Sequence, residues 1–302
     1  MINFKCSNCG GELTVSHTGE LVCSYCGGHF VFSDKDLREY REFRYRMLAY
    51  LSVISDRPDP AETDRIWSRA EQQEFILADG RKLNISFLFK GTQDGVTVYT
   101  ARRNVLFLFP GDNGEQRVSR FCSMAERLDY PSADVKELSK LFPLVSGSFR
   151  LSDGSILLAV AKDEELFPVS AFGSLPPEHA AWIISRLENI CCVLEYSGLA
   201  HNGIDMESVF INARTHQAYL LGGWWNASPE ENGSQNDLIA LRATAKRITG
   251  AGYDLSPEQF RRFISAPPAP DAYQDFAVWD KVIEEGFHGR KFRKLDLSNL
   301  LV

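Results

Sequence analysis

Gly198-Leu-Ala-His201-Asn-Gly-Ile-Asp-Met-Glu-Ser-Val-Phe-Ile211 is the stretch on which the reading of this chain turns. Upstream of it, Glu178 to Ser197 is apolar almost without a break, the pattern of a long buried helix, and Gly198 is placed to close that helix. Within it, Val209-Phe-Ile211 reads as a short strand, and Ala218-Tyr-Leu-Leu221 as its partner across residues 213–217. Beyond it the periodicity is helical, over Asn236 to Thr249, Ser256 to Ser265 and Phe276 to Gly286. Before it, from Phe75 to Val160, short apolar runs are broken by Asp-Gly, Gly-Thr and Pro-Gly signals. Ile85 to Phe89, Val96 to Ala101, Val105 to Phe109 and Ser155 to Val160 read as antiparallel strands, with one helix over about Arg117 to Leu128. A strand-rich lobe with one helix, followed by a helical lobe, is an α+β arrangement.

The first 26 residues carry a second signal. Cys6-x-x-Cys9 and Cys23-x-x-Cys26 are two pairs, each followed by Gly-Gly. Two thiolates on one tight turn span one edge of a tetrahedron, and a second such turn supplies the opposite edge. Four thiolates complete the shell, so His17 and His29 are spare, and the expected cofactor is one structural Zn²⁺ with no open position for catalysis. Glu12 to Val15 and Glu20 to Val22 read as strands, giving a small β ribbon over 1–34. The alternative of two disulfides belongs to exported domains, and MINFKCSNCG shows no basic n-region followed by an apolar stretch. Cys122, Cys191 and Cys192 lie in apolar helical patterns, as buried inert thiols do. Residues 35–72 read as a helical connector, with one helix from Ser33 to about Asp56 and another over Glu62 to Gln73.

Composition excludes several classes. The chain has 302 residues, 44% hydrophobic and 24% charged, with a net charge of −7. An acidic balance argues against a protein built mainly to coat nucleic acid. No apolar run approaches the ~18 residues of a spanning helix, so no membrane is expected as a partner. The basic tail Phe287 to Leu295 reads as a solvated edge, and Trp224-Trp225 as packing at an interface.

Several strands with one helix after the third, a hinge, a long buried helix and a small hairpin together resemble the protein-kinase family over residues 75 to 302, with a strand-rich lobe at 73–173 and a helical lobe at 174–302. The stretch 198–211 looks like the kinase catalytic loop. His201 falls at the His of His-Arg-Asp. Gly203 falls where the resemblance puts the catalytic Asp, and Ser208 where it puts the Mg²⁺-binding Asn. Gly222 stands at the metal-binding Asp of the DFG turn, and no carboxylate occurs from Leu220 through Ala227. Gly91-Thr-Gln-Asp-Gly95 resembles the Gly-rich loop in outline. Leu108 is read at the phosphate-binding Lys, Glu126 near the helix Glu that pairs with it, and Asp237 at the helix-start Asp that braces the catalytic loop.

Phosphoryl transfer rests on positioning and charge neutralisation by Mg²⁺, Lys and the catalytic Asp. The resemblance therefore implies a pseudokinase: no catalytic residues, nucleotide binding disfavoured, and action as a scaffold or adaptor on a protein partner. Two other readings stand beside it. One is an atypical kinase or nucleotide-binding protein using Asp205 and Glu207. The other is nucleic-acid recognition by the ribbon. Paired thiolates without an export signal suggest a reducing compartment, the cytoplasm, or a host cytoplasm if the source is viral.

Overall fold

The computed structural model describes Cys6, Cys9 and residues 13–15, 20–23, 25–30, 60–130, 138–230, 234–289, 295–297 and 300. The helix read from Ser33 to Asp56 and most of the basic tail lie outside these residues.

In the ribbon, β1 (Leu13–Val15), β2 (Leu21–Cys23) and β3 (His29–Phe30) form an antiparallel sheet, with Leu13 opposite Cys23 and Leu21 opposite Phe30. The third strand adds to the two that the sequence suggests. Gly27 takes φ 67°, a left-handed turn that lets the chain double back after Cys26.

The helix α1 (Pro60–Trp67) begins on a proline, whose missing N–H costs nothing in a first turn. It ends six residues short of the Gln73 read from the sequence. Glu71 instead opens a strand, β4 (Glu71–Ile76). This strand is mostly polar because it forms one edge of a sheet, so no apolar run announces it.

The strand-rich lobe is a six-stranded antiparallel sheet, order β4-β5-β6-β7-β9-β8, built from β4, β5 (Lys82–Gln93), β6 (Val96–Ala101), β7 (Asn104–Phe109), β8 (Leu144–Arg150) and β9 (Ile156–Ala161). The hairpin between β5 and β6 closes on Asp94 and Gly95, both with positive φ, the two-residue turn that an Asp-Gly pair favours. The helix α2 (Gly114–Ala125) follows β7 and covers one face of the sheet. Strand periodicity then sorts the side chains. Val105, Phe107 and Phe109 join the main core beneath α2, while Leu106 and Leu108 belong to a smaller cluster on the other face with Phe75, Phe87, Tyr99 and Leu157.

After β9 a linker at 162–165 leads to β10 (Leu166–Pro168), which pairs with β12 (Val209–Asn212), itself paired with β13 (Gln217–Leu220). The linker is thus stitched to the hairpin of the second lobe. The helix α3 (Pro177–Tyr196) is buried through most of its length, as its unbroken apolar sequence predicts. β11 (Leu199–Ala200) pairs with β14 (Ser228–Pro229), and α4 (Ser234–Thr249), α5 (Glu258–Ser265) and α6 (Ala272–Phe287) complete the lobe. Phe287 packs edge-on to Phe260, 5.9 Å between ring centroids. Among the described residues, no helix is long and apolar enough to cross a membrane.

Candidate functional site

The four ribbon sulfurs converge. Cys6, Cys9, Cys23 and Cys26 place their Sγ atoms within 4.8 Å of one another. Cys6 and Cys26 are 3.4 Å apart, and Cys9 and Cys23 are 3.5 Å apart. A disulfide needs ~2.05 Å. A tetrahedron of thiolates at ~2.3 Å from a metal has edges near ~3.8 Å. The separations therefore suit a shared ion and not two bridges. Backbone N–H groups, that of Cys26 foremost, hold the Cys23 thiol down to about 6, which favours the thiolate a metal binds. His29 stays outside this group, its Nδ1 3.3 Å from Glu20 Oε2.

Between the lobes the sequence-predicted positions come together around the loop 198–208. His201 is fully buried, and its Nε2 lies 2.9 Å from the carbonyl of Gly222. The carbonyl can only accept, so Nε2 carries the proton and Nδ1 is bare. Nδ1 has no hydrogen-bond partner among the described residues. Burial drives the imidazole down to about 3 from 6.5, so it is neutral at physiological pH. Asp237, on the first turn of α4, accepts from the backbone N–H of His201 (2.7 Å, Oδ2) and of Asn202 (2.8 Å, Oδ1). Burial nonetheless raises its carboxyl to about 6.

A depressed His contributes stability that is fully present above pH 6.5 and is lost as pH falls toward 3, because only the unfolded chain takes the proton. His201→Gln should be less acid-sensitive than the wild type, by about 2 kcal/mol between pH 7 and 5 in urea unfolding. Equal acid sensitivity in both proteins would refute the assignment. Asp237 is common to both, so its own titration cancels.

The positions that the resemblance puts at the metal-binding and catalytic carboxylates have little room. A Cβ on Gly203 would meet the Gly223 backbone at 3.2 Å, and one on Gly222 would meet Ser208 Cα at 3.0 Å and Gln93 Oε1 at 3.1 Å. Ser208 is fully buried, its hydroxyl accepting from the Asp205 N–H at 2.8 Å. Asp205 Oδ1 accepts from the backbone N–H groups of Glu207 and Ser208, both at 2.8 Å. The Glu207 carboxylate lies against Gly91, where any Cβ would collide with it, and burial raises its pKa. Both acidic groups are thus engaged locally.

The hairpin read as a Gly-rich loop folds down onto this loop. Gln93, 3% exposed, donates from Nε2 to the carbonyl of Gly203 at 3.0 Å. Asn226 Nδ2 donates to Asp94 Oδ2 at 2.7 Å, and Arg117 Nη2 donates to the Asp94 carbonyl at 3.0 Å. Gly95 sits at the tip with φ 77°.

Two positions need correction. Leu108 faces away from α2, because residues one apart on a strand point to opposite faces. Phe107 occupies the face read for Leu108, and it meets Phe121 of α2 at 5.6 Å. Glu126 lies just past the end of α2 as its C-cap. An aromatic contact therefore joins strand to helix where the resemblance calls for a Lys–Glu pair. Trp225 completes it, 5.5 Å from Phe107, 5.3 Å from Phe109 and stacked on Phe121 at 6.3 Å. Trp224 and Trp225 are both buried between the lobes. The sequence reading missed Gln93, Phe107 and Phe121. The signal for Phe107 was present in the register of Val105, Phe107 and Phe109.

After the extra edge strand β4, three strands, one helix, two further strands, a linker, a long buried helix and a hairpin follow one another in the order that the resemblance calls for. The chain has a protein-kinase-like fold. No protein-family model matches the sequence, and no curated protein matches it. Solved structures do. The vaccinia related kinase 3 structure matches over 82% of this chain and 97% of that one, at 12% identity and a TM-score of 0.45. The BubR1 kinase domain matches over 56% of this chain and 62% of that one, at 10% identity and a TM-score of 0.42. The Drosophila melanogaster PAN3 pseudokinase matches over 64% and 61%, at 14% identity and a TM-score of 0.42. The chain spans less than two thirds of the BubR1 and PAN3 chains.

Proposed function

We propose that this chain is a non-catalytic, pseudokinase-like scaffold with a structural zinc ribbon, acting by binding a protein partner in a reducing compartment. The observation that carries the reading is the Gln93–Gly203 contact. It puts a protein side chain where phosphates would enter, over a loop with glycine at both expected carboxylate positions. Phosphates brought there would lose their hydration without a cation to replace it. Zn²⁺ is the ion the Cys₄ donor set suits best, since four thiolates in a closed tetrahedron are a structural zinc arrangement. Asp205 and Glu207 support a displaced-metal kinase poorly, because Oδ1 of the first accepts from two backbone N–H groups and the second is half-buried with a hydrogen bond to Ser170.

Thermal unfolding with millimolar ATP, with and without Mg²⁺, tests the catalytic half. Ligand at 100 times its Kd would stabilise the fold by about 2.7 kcal/mol. We expect no Mg²⁺-dependent shift and no phosphate transfer, and a shift of several degrees would overturn the reading. Affinity capture of the intact chain with mass spectrometry tests the scaffold half. A stoichiometric protein supports it, and recovery dominated by nucleic acid that is lost steeply with salt supports the ribbon reading in its place.

A further inference from the structure

The helix α1 comes before the two-lobed body in the sequence, yet it packs at the seam where the lobes join. Trp67, at its end, is 7% exposed. Its ring stacks on Phe167 of β10 with centroids 6.0 Å apart and planes at 25°. Its indole N–H donates to the carbonyl of Glu164 in the linker at 3.1 Å. The linker's Lys162 places Nζ 5.0 Å from the same ring's centroid while donating to the carbonyls of Arg102 and Asp163.

The charged residues of α1 reach both lobes. Asp64 pairs with Arg102, which lies in the β6–β7 turn of the strand-rich lobe, at 2.5 Å. Glu62 pairs with Arg214, which lies in the β12–β13 turn of the helical lobe. The linker carboxylates bind the same arginines, Glu164 to Arg102 at 2.7 Å and Glu165 to Arg214 at 3.0 Å. Thr63 donates its hydroxyl to Glu165 at 2.8 Å. One short helix thus holds a turn from each lobe and the segment between them.

We propose that α1 is a strap that fixes the angle between the lobes, with Trp67 as its anchor. For the cleft to open, the two arginine-bearing turns must move relative to each other, and α1 must release one of them. The two ends are unequal. Asp64 is 63% exposed, so its pair is screened by salt and weak. At the other end Arg214 is 10% and Glu62 28% exposed, and Thr63 adds a buried hydrogen bond to Glu165, so that end holds better. The strap releases the strand-rich lobe first and keeps its grip on the helical lobe. Trp67 then leaves the linker, and the Gln93–Gly203 contact loses one restraint, keeping the Asp94–Asn226 bond and the Trp225 cluster. This inference does not depend on what the chain binds.

Hydrogen exchange on the full-length protein tests it, comparing wild type with Trp67→Ala and with Glu62→Gln/Asp64→Asn. The second variant keeps the aromatic packing, so it remains informative if the first fails to fold. The expected result is exchange at least ~10-fold faster in the linker and β10 (162–168) and in the β5–β6 hairpin (89–97), with α4 to α6 unchanged. The double variant should show the same pattern at smaller amplitude. A change confined to residues 60–67 overturns the proposal, because α1 would then be a passenger. A uniform rise across α4 to α6 also overturns it, because α1 would then be only one part of a common core.

Discussion

Chelation is expected to melt the ribbon and to leave the unfolding midpoint of the two-lobed body where it was. The described ribbon residues offer little else to hold them. Leu13 and Leu21 are its buried aliphatic side chains, worth about 1.5–3 kcal/mol each when removed from water. Structural zinc in comparably small domains supplies an apparent ~10–16 kcal/mol, so an ion bound by the four thiolates would decide whether the ribbon is folded. Among the described residues β1 to β3 pack chiefly on one another, and the body has its own large core from Ile66 to Leu300. The wild type should carry one ion per chain by elemental analysis. Cys23→Ser and Cys9→Ser should each lose it, since removing one thiolate leaves three ligands for a tetrahedral ion. In amide exchange, protection at residues 13–15 and 21–23 should vanish with the metal. Protection that survives chelation would show that the cysteines are not ligands.

What the sequence made legible, and what it hid, follows from how local each signal is. The cluster of ribbon cysteines was legible because a Cys-x-x-Cys turn is set by two residues of backbone. The long helix α3 was legible because it is buried on nearly all sides, and so was the hairpin β12–β13. The polar edge strand β4 was hidden because its Glu and Gln side chains face water and its pairing is decided by β5. β8 was hidden likewise, an edge strand exposed along most of its length. The role of α1 could not be read at all, because it depends on Arg102 and Arg214, which meet Asp64 and Glu62 only after both lobes have formed. Within the cleft, the glycines at 203 and 222 stand where the resemblance puts carboxylates. What the sequence did not show is that the space those carboxylates would need has been taken by backbone and by Gln93.

That difference gives the second large effect: putting the missing groups back should unfold the protein, not revive it. Gly223 sits at φ 79°, and a Cβ there would lie 2.6 Å from His201 Cε1 and 2.8 Å from the Gly203 carbonyl. Gly95 has nearly the same φ, 77°, with nothing within 4 Å of a Cβ. Gly95→Ala therefore measures the left-handed backbone cost alone, about 1–2 kcal/mol. Gly223→Ala carries that cost and a collision with buried, hydrogen-bonded groups that cannot swing aside. We expect it to cost at least about 2 kcal/mol more than Gly95→Ala. Gly222→Asp is worse in kind, since it adds a charge beside Gln93 Oε1, which has no hydrogen-bond partner among the described residues. An uncompensated buried charge costs about 3–5 kcal/mol, or a midpoint lower by roughly 10 °C. Combining Gly203→Asp, Ser208→Asn and Gly222→Asp should lower the midpoint further and give no phosphate transfer. If Gly222→Asp were as stable as wild type and Mg²⁺ stabilised it, the cleft would have room for a metal after all, and the closed interlobe contact at Gln93 would be one state of two.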